Sequence, residues 1–206
     1  MSHLLKFTIK INVIALTLCL FGCAFVTPRN DLHSLSWQNR QSQLSQIKNW
    51  EASGVISITY NNQRDIAHFN WQQNANNYKI DLHGPMGLND IQVNGNEQQI
   101  ILEQGTKQRL TAKTPEQLIK QQFGWSLPIK NLSFWILSLP APHKLKQIKL
   151  DSAHHLIQLK QEGWLITYNN FVSINGIDLP TKIDLVNNTL FLRMIIKTWT
   201  LNSTNI

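Results

Sequence analysis

The sequence predicts an α+β fold: a single domain in which one curved antiparallel β-sheet is covered by a few helices. Three observations carry this. Apolar and polar residues alternate over residues 50–112 and again over 148–201, the period of a half-buried strand. Turn residues (Asn61-Asn62, residues 74–77, Gly95-Asn96, Gly105) cut the first stretch roughly every 10–15 residues, the rhythm of a meander. Ahead of the first stretch and between the two, the apolar period becomes helical.

Taken in order, residues 31–48 place Leu32, Leu35, Leu44 and Ile47 at helical spacing among Gln, Ser and Asn, which predicts an amphipathic helix. Six strands follow. Ile56, Ile58 and Tyr60 alternate with Val55 and Ser57, and then come Ala67, Phe69 and Trp71; Tyr78, Ile80 and Leu82; Ile91 and Val93; Ile100 and Leu102; Leu110 and Ala112. His68 and His83 fall opposite the apolar sets, facing solvent. Thr114-Pro115-Glu116-Gln117 opens a second helix: Thr114 is the N-cap, Pro115 suits the first helical position, Gln117 can reach back three residues, and Gly124 ends the helix. A third helix is expected over 132–139, stopped by Pro140 and Pro142. Five more strands are expected at 148–150, 156–159, 164–168, 183–185 and 190–201. In the last, Leu190, Leu192, Met194 and Ile196 line one face while Phe191, Ile195 and Trp199 mark the other, so both faces need cover or must border an apolar cavity.

Composition narrows the class of protein. The chain has 206 residues, enough for a substantial core, with no compositional break that would divide it. It is 42% hydrophobic, too apolar for a disordered chain, and only 15% charged. Asn and Gln supply 39 residues, so much of the polar surface is neutral amide. The two cysteines, Cys19 and Cys23, lie four apart near the start, which excludes a disulfide-stapled fold and a thiolate zinc site. A formal charge of +7 leaves nucleic acid, anionic membrane and an acidic protein all open as partners.

The first 22 residues read as an address. Lys6 and Lys10 precede an apolar run, too short for a transmembrane helix, that ends in Leu20-Phe21-Gly22-Cys23. That ending resembles the lipobox of bacterial lipoproteins. The resemblance implies cleavage after residue 22 and acylation of Cys23 as an N-acyl diacylglycerol cysteine. Ala24, rather than Asp, then points to the outer membrane, with the chain facing the periplasm. Three acyl chains anchor stably where one does so only marginally. Removing 22 of 206 residues leaves 184 with a charge of +5, because both lysines of the leader go with it. Residues 23–30 form a lipidated tether, and 31–206 the folded domain.

No local motif supports an enzyme. The chain lacks a glycine-rich phosphate loop, a G-x-S-x-G elbow and an H-E-x-x-H pair, and its 12 carboxylates show no close pair suited to acid–base work. His154-His155 reads as a solvated pair near a strand start, whose alternating directions cannot chelate one metal. Lys144, Lys146 and Lys149 form one basic group and Lys107, Arg109 and Lys113 another; neither is interleaved with aromatics as nucleic-acid modules are. They are solvated faces or a docking patch for an acidic partner. The most unusual segment is Gly84-Pro85-Met86-Gly87-Leu88-Asn89-Asp90, a turn whose tip is apolar. Either Met86 and Leu88 fold back into the core, or they form an exposed finger that touches lipid.

In this setting the chain resembles the LolB family of outer-membrane lipoprotein receptors over residues 37–201. The resemblance rests on Trp37; Phe69-Asn70-Trp71-Gln72-Gln73 followed by Tyr78; Gly84-Pro85-Met86-Gly87; Leu118 with Gly124; Trp135-Ile136-Leu137-Ser138-Leu139-Pro140; Gly163-Trp164 leading to Tyr168; Leu179-Pro180; and Trp199. It implies an incomplete antiparallel β-barrel whose hydrophobic cavity is closed by helices, and a monomer that performs no catalysis. It also implies acceptance of lipoproteins from the soluble carrier LolA and insertion of their acyl chains into the inner leaflet of the outer membrane. The family's insertion loop corresponds to Gly84, Pro85, Met86, Gly87 and Leu88, with Met86 where the family usually has Leu; Met is similar in volume and more flexible. Trp125 is a further departure. Candidate cavity residues are Phe69, Trp71, Tyr78, Ile80, Leu82, Leu190, Leu192, Met194 and Ile196, with Trp135 from the lid. A lipid-sensing lipoprotein of the same fold without carrier handover, and an envelope hydrolase with a dispersed site, are the competing readings.

Overall fold

The structure, a computed structural model, describes residues 35–202 except 86–89, 97, 106–107, 113 and 143–144. The leader at 1–22, Cys23 and the tether lie outside the described residues, as do Met86, Gly87, Leu88, Lys107, Lys113 and Lys144. Helix α1 (Trp37–Ser45) leads into β1 (Asn49–Tyr60), β2 (Gln63–Asn74), β3 (Asn77–His83), β4 (Ile91–Gly95), β5 (Ile100–Gln104) and β6 (Gln108–Ala112). Helices α2 (Pro115–Phe123) and α3 (Ile129–Trp135) follow. The chain ends in β7 (Lys146–Leu150), β8 (Leu156–Gln161), β9 (Trp164–Ile174), β10 (Ile177–Val186) and β11 (Leu190–Leu201). The order of one helix, six strands, two helices and five strands is the one the sequence predicts.

All eleven strands join one antiparallel sheet in the order β6-β5-β4-β3-β2-β1-β11-β10-β9-β8-β7. Each half is a plain meander, and the first and last strands pair along most of their length to join the halves. The edges are β6 and β7, which do not pair, so the sheet is open; α2 and α3 carry the chain from one edge to the other. Hairpin turns follow their chemistry. Asn61 and Asn62 both adopt positive φ, as do Asn175 and Gly176 between β9 and β10, the signature of a tight two-residue turn.

The alternation points one residue set to one face. Leu110, Leu102, Val93, Ile80, Trp71, Ala52 and Trp199 stand opposite one another across seven strands. Ile148, Leu159, Ile166, Leu185, Leu192 and Ile58 do so across the other half. Apart from Ile148 on the edge strand, which is exposed, this face packs into one core with Leu44 of α1, Leu118 and Ile119 of α2, and Ile129, Leu132 and Trp135 of α3. The sheet must curl to achieve this. The ring of Trp135 lies 6.1 Å from that of Trp164 of β9, while Phe134 beside it shares a cleft with Tyr78 of β3. Five strand spacings of about 4.8 Å would hold β3 and β9 about 24 Å apart in a flat sheet, beyond the reach of a seven-residue helix about 10 Å long.

Three sequence expectations are corrected. Trp199 lies on the covered face with Met194 and Ile196, because the register of β1 with β11 shifts between Ser53 and Gly54 and leaves Lys197 without an opposite residue. Such a bulge flips the alternation beyond it. The outer face of β11 is therefore not covered: Ile195 is 44% exposed. The third helix begins at Ile129, not at 132, and ends at Trp135. Its stop is Ser138, held at φ 58°, with Leu139 N–H donating to the Phe134 carbonyl and Ser138 N–H to that of Trp135, a Schellman closure without glycine. Finally, β9 is about twice and β10 more than three times the predicted length, because residues 169–182 continue the hairpin despite Pro180.

The second helix matches its sequence signals. Thr114 accepts a hydrogen bond from Gln117 N–H at 3.3 Å, Pro115 is the first helical residue, and Gly124 ends the helix at φ 79°. Ser36 caps α1 in the same way through Asn39. Helix α1 occupies Trp37–Ser45 within the predicted 31–48 and buries Arg40 and Leu44, one turn apart on one face.

Candidate functional site

Beneath the helices, at the end of the sheet where α1 enters β1, lies a cleft of about 670 Å³. Its apolar floor is built from Leu44, Ile47 and Trp50 on one side and Ile129, Phe134 and Leu137 on the other. Residues of the segment 139–142, Tyr78 and the turn at 73–76 complete its lining. Lys48, Lys130 and Lys146 stand on the rim. All three are exposed, and none has a carboxylate within ion-pair distance among the described residues.

The roof is fixed by one buried side chain. Gln161 of β8 is 3% exposed; its Oε1 accepts from Trp135 Nε1–H and from Ala141 N–H, both at 2.9 Å, and its Nε2 donates to the Ala141 carbonyl at 3.0 Å. Three of its four hydrogen-bonding positions thus hold the end of α3 and the following segment against the sheet. The floor is fixed by Trp50, whose ring lies 5.4 Å from that of Trp71 and 5.6 Å from that of Trp199.

Two buried tyrosine hydroxyls are unpaired. Neither Tyr78 nor Tyr168 has a hydrogen-bond partner for its OH among the described residues. Burial raises the pKa of Tyr78 to about 12, helped by the negative charge of Glu116, and burial alone holds Tyr168 well above the ordinary phenol value. Both hydroxyls therefore remain donors, and an unsatisfied buried donor costs about 1–3 kcal/mol. Tyr78 packs so close to Gly95 across the strand pair that a Cβ at that position would overlap its ring and hydroxyl.

The nine candidate cavity residues from the strands lie on the covered face, and Trp135 packs onto it from α3. Phe69, Trp71, Ile80, Leu190, Leu192, Met194, Ile196 and Trp135 are buried in the packed core, Leu82 is half-buried at its border, and Tyr78 alone borders the cleft. The floor residues Leu44, Trp50, Phe134 and Leu137 are not among the candidates. The signals that point to them are the third helix, which periodicity places three residues too late, and the one-turn spacing of Arg40 and Leu44.

The predicted loop starts from a closed base. His83 Nδ1 lies 3.1 Å from Asp90 Oδ1, and Asp90 accepts from Gly105 N–H through its carbonyl. Pro85 is exposed at the start of the loop; the residues at its tip, Met86 and Leu88, lie outside the described set. His68 and His83 face solvent as expected.

His154 and His155 correct the expectation of a solvated pair. They sit in the β7–β8 loop, where His154 takes φ 62° and turns outward while His155 turns in and stacks on Phe171 at 4.4 Å. Nδ1 of His155 lies 2.9 Å from Asp151 Oδ2 and Nε2 lies 3.0 Å from Asp178 Oδ2, so two carboxylates far apart in sequence meet at one ring. Arg40 of α1 completes the cluster, 2.8 Å from the same Asp178 oxygen, and donates through Nε to the Ala153 carbonyl. Burial would raise both aspartates; hydrogen bonds from His155, joined by Arg40 at Asp178, outweigh it and hold them below the ordinary carboxylate range. The cluster seats α1, which forms one wall of the cleft.

Comparison with known proteins agrees with this arrangement. The family model "Outer membrane lipoprotein LolB" matches residues 48–199. The chain is 36% identical over 167 residues to an outer-membrane lipoprotein LolB of Coxiella burnetii, covering 81% of this chain and 79% of that one. It is 35% identical over 203 residues to the LolB of Ectopseudomonas mendocina, covering 97% and 96%. Among solved structures, a LolA superfamily protein of Nitrosomonas europaea superposes with a TM-score of 0.55 at 10% identity, over 82% of this chain and 94% of that one, which shows a common fold. A match spanning most of the chain, on a sheet left open beneath its helices, establishes that this chain belongs to the LolB family of outer-membrane lipoproteins.

Proposed function

We propose that this chain takes lipoproteins from the periplasmic carrier LolA, shelters their acyl chains beneath its helices, and inserts them into the inner leaflet of the outer membrane. Membership of the LolB family makes it an outer-membrane lipoprotein receptor. The supporting observation is a cleft with an apolar floor under a roof that is hydrogen-bonded to the sheet through Gln161. An acyl chain in water exposes apolar surface at about 0.8 kcal/mol per methylene. A receptor that shields it slightly better than the carrier draws it down a gradient with no energy source. In this reading the chain is held at the membrane by N-acyl diacylglycerol on Cys23, works as a monomer, and breaks no bonds.

Each part of the molecule then has a task. The floor around Trp50 and Phe134 supplies apolar contact. The segment 139–142 lifts to admit cargo when its bonds to Gln161 open. The loop at 84–88 carries Met86 into the bilayer surface. The lysines on the rim give the mouth a positive field that steers an acidic carrier.

Handover from the carrier tests the reading. LolA loaded with a fluorescent lipoprotein is mixed with the purified chain, and the label is followed by separation of the two proteins. Movement of the label to this chain, and onward to added vesicles, is expected. A label that stays on LolA sinks the receptor reading. Binding of free lipid without handover would identify a lipid-sensing protein of the same fold.

A further inference from the structure

The cargo's own lipid is a poor electrostatic match for the cleft mouth. An N-acylated diacylglyceryl cysteine carries no charge, yet the mouth presents Lys48, Lys130 and Lys146 with no ion-pair partner among the described residues. They come from three elements, the α1–β1 junction, α3 and β7, so folding gathers them around one opening. Beneath them, Tyr78 borders the same cleft and is buried to 9% exposure; its hydroxyl is unpaired but shut off from solvent, so a ligand carbonyl reaches it only when the surrounding side chains part. Cationic rim, single donor and apolar floor are, from outside inward, the complements of a phosphate, an ester carbonyl and an acyl chain.

We propose that the cleft also binds one anionic phospholipid of the target membrane, its phosphate held by Lys48, Lys130 and Lys146, its ester carbonyl accepting from Tyr78 OH, and one acyl chain lying on the floor beside Trp50 and Phe134. This rests on the receptor reading and deepens it. A phospholipid seated in the mouth orients the opening toward the leaflet, and incoming acyl chains displace it as they are delivered. Ammonium groups near an anionic lipid surface act additively and are screened by salt.

The test uses the full acylated chain in phosphatidylcholine vesicles doped with phosphatidylglycerol that bears a photoreactive group on one acyl chain. After illumination, cross-linked peptides are mapped by mass spectrometry. A matched arm carries the same group on phosphatidylcholine. Phosphatidylglycerol should label peptides containing Trp50 and Phe134 in preference to the neutral lipid. Each of Lys48→Gln, Lys130→Gln and Lys146→Gln should lower that labelling by about five-fold. Tyr78→Phe, which keeps the ring and its packing, should lower it for both lipids, and raised salt should lower it for phosphatidylglycerol alone. Equal labelling by both headgroups, unmoved by the lysine substitutions, overturns the proposal. Absence of label from the cleft overturns it as well. Lipoprotein delivery measured in doped and undoped vesicles keeps the outcomes distinct: intact delivery with an unlabelled cleft refutes the phospholipid site alone, whereas no delivery into either kind of vesicle refutes the receptor reading.

Discussion

Gln161 and Trp135 are joined by a buried hydrogen bond of 2.9 Å, and the same glutamine oxygen receives the amide of Ala141. A single neutral side chain thereby closes the segment over the cleft, and removing it orphans an indole N–H, an amide N–H and a carbonyl together. Gln161→Leu should lower stability by about 2–4 kcal/mol, read from denaturant unfolding. Gln161→Glu should be as damaging at neutral pH, because it loses the donor to Ala141 and buries a charge. A shift below about 0.5 kcal/mol in both variants would show that the roof does not depend on this residue.

The bulge in β11 makes its own demand on the strand opposite. A Cβ on Gly54 would overlap the Ile195 carbonyl oxygen, which is backbone and cannot swing aside. Gly54→Ala should therefore cost about 1–3 kcal/mol, although alanine suits a strand at least as well as glycine. The loss should appear as a lower unfolding midpoint with an unchanged denaturant slope. Gly105 has open space within 4 Å of where a methyl group would stand, but its φ is 56°. It should lose about 1 kcal/mol on the same change, from backbone strain alone.

These features show where sequence reasoning reaches and where it stops. The element order, the capped second helix and the inward face of every strand around Trp71, Ile80 and Leu192 follow from periodicity and from residues with strong backbone preferences. The bulge at Lys197 leaves no such trace, because an unpaired residue changes the register without changing composition, and simple alternation puts Trp199 on the wrong face for that reason. The hairpin at Asn175-Gly176 does leave one, the strongest short turn signal there is, but Asn169-Asn170 and Pro180 mimic strand ends on either side of it. Ser138 ends α3 in a conformation usually given to glycine, so the helix boundary is invisible in the sequence. The Arg40–Asp178–His155–Asp151 cluster joins residues up to 138 apart and emerges only in three dimensions. The inward strand face is legible, but the partition between packed core and open cleft is not, since it depends on where the helices settle.

That cluster gives the protein a predictable acid response. Asp151 and Asp178 titrate below their ordinary values in the folded chain, so the unfolded state binds protons first as pH falls. Their contribution is present in full above the usual carboxylate pKa of about 3.9 and is lost as pH falls below it toward the depressed folded values. Asp178→Asn should weaken the seat of α1 at neutral pH and flatten the loss of stability between about pH 4 and 2. Thermal unfolding measured at steps of pH reads both effects. An Asp178→Asn chain with the same acid profile as the parent would refute the assignment.

The loop makes the sharpest functional prediction. A methionine entering hydrocarbon contributes about 1.5–3 kcal/mol, too little to anchor a protein on its own beside the acyl chains proposed on Cys23 but enough to perturb the bilayer at the point of delivery. A glutamate there must shed its hydration or stay out of the membrane, and it stays out. The base of the loop is held by His83 and Asp90. Met86→Glu should accept lipoprotein from the carrier as the parent does, then retain it, so that labelled cargo accumulates on the receptor and fails to reach vesicles. Met86→Leu should deliver normally. Delivery by the glutamate variant at the parent rate would remove the loop from the insertion step, while a failure to accept cargo would place Met86 in binding instead.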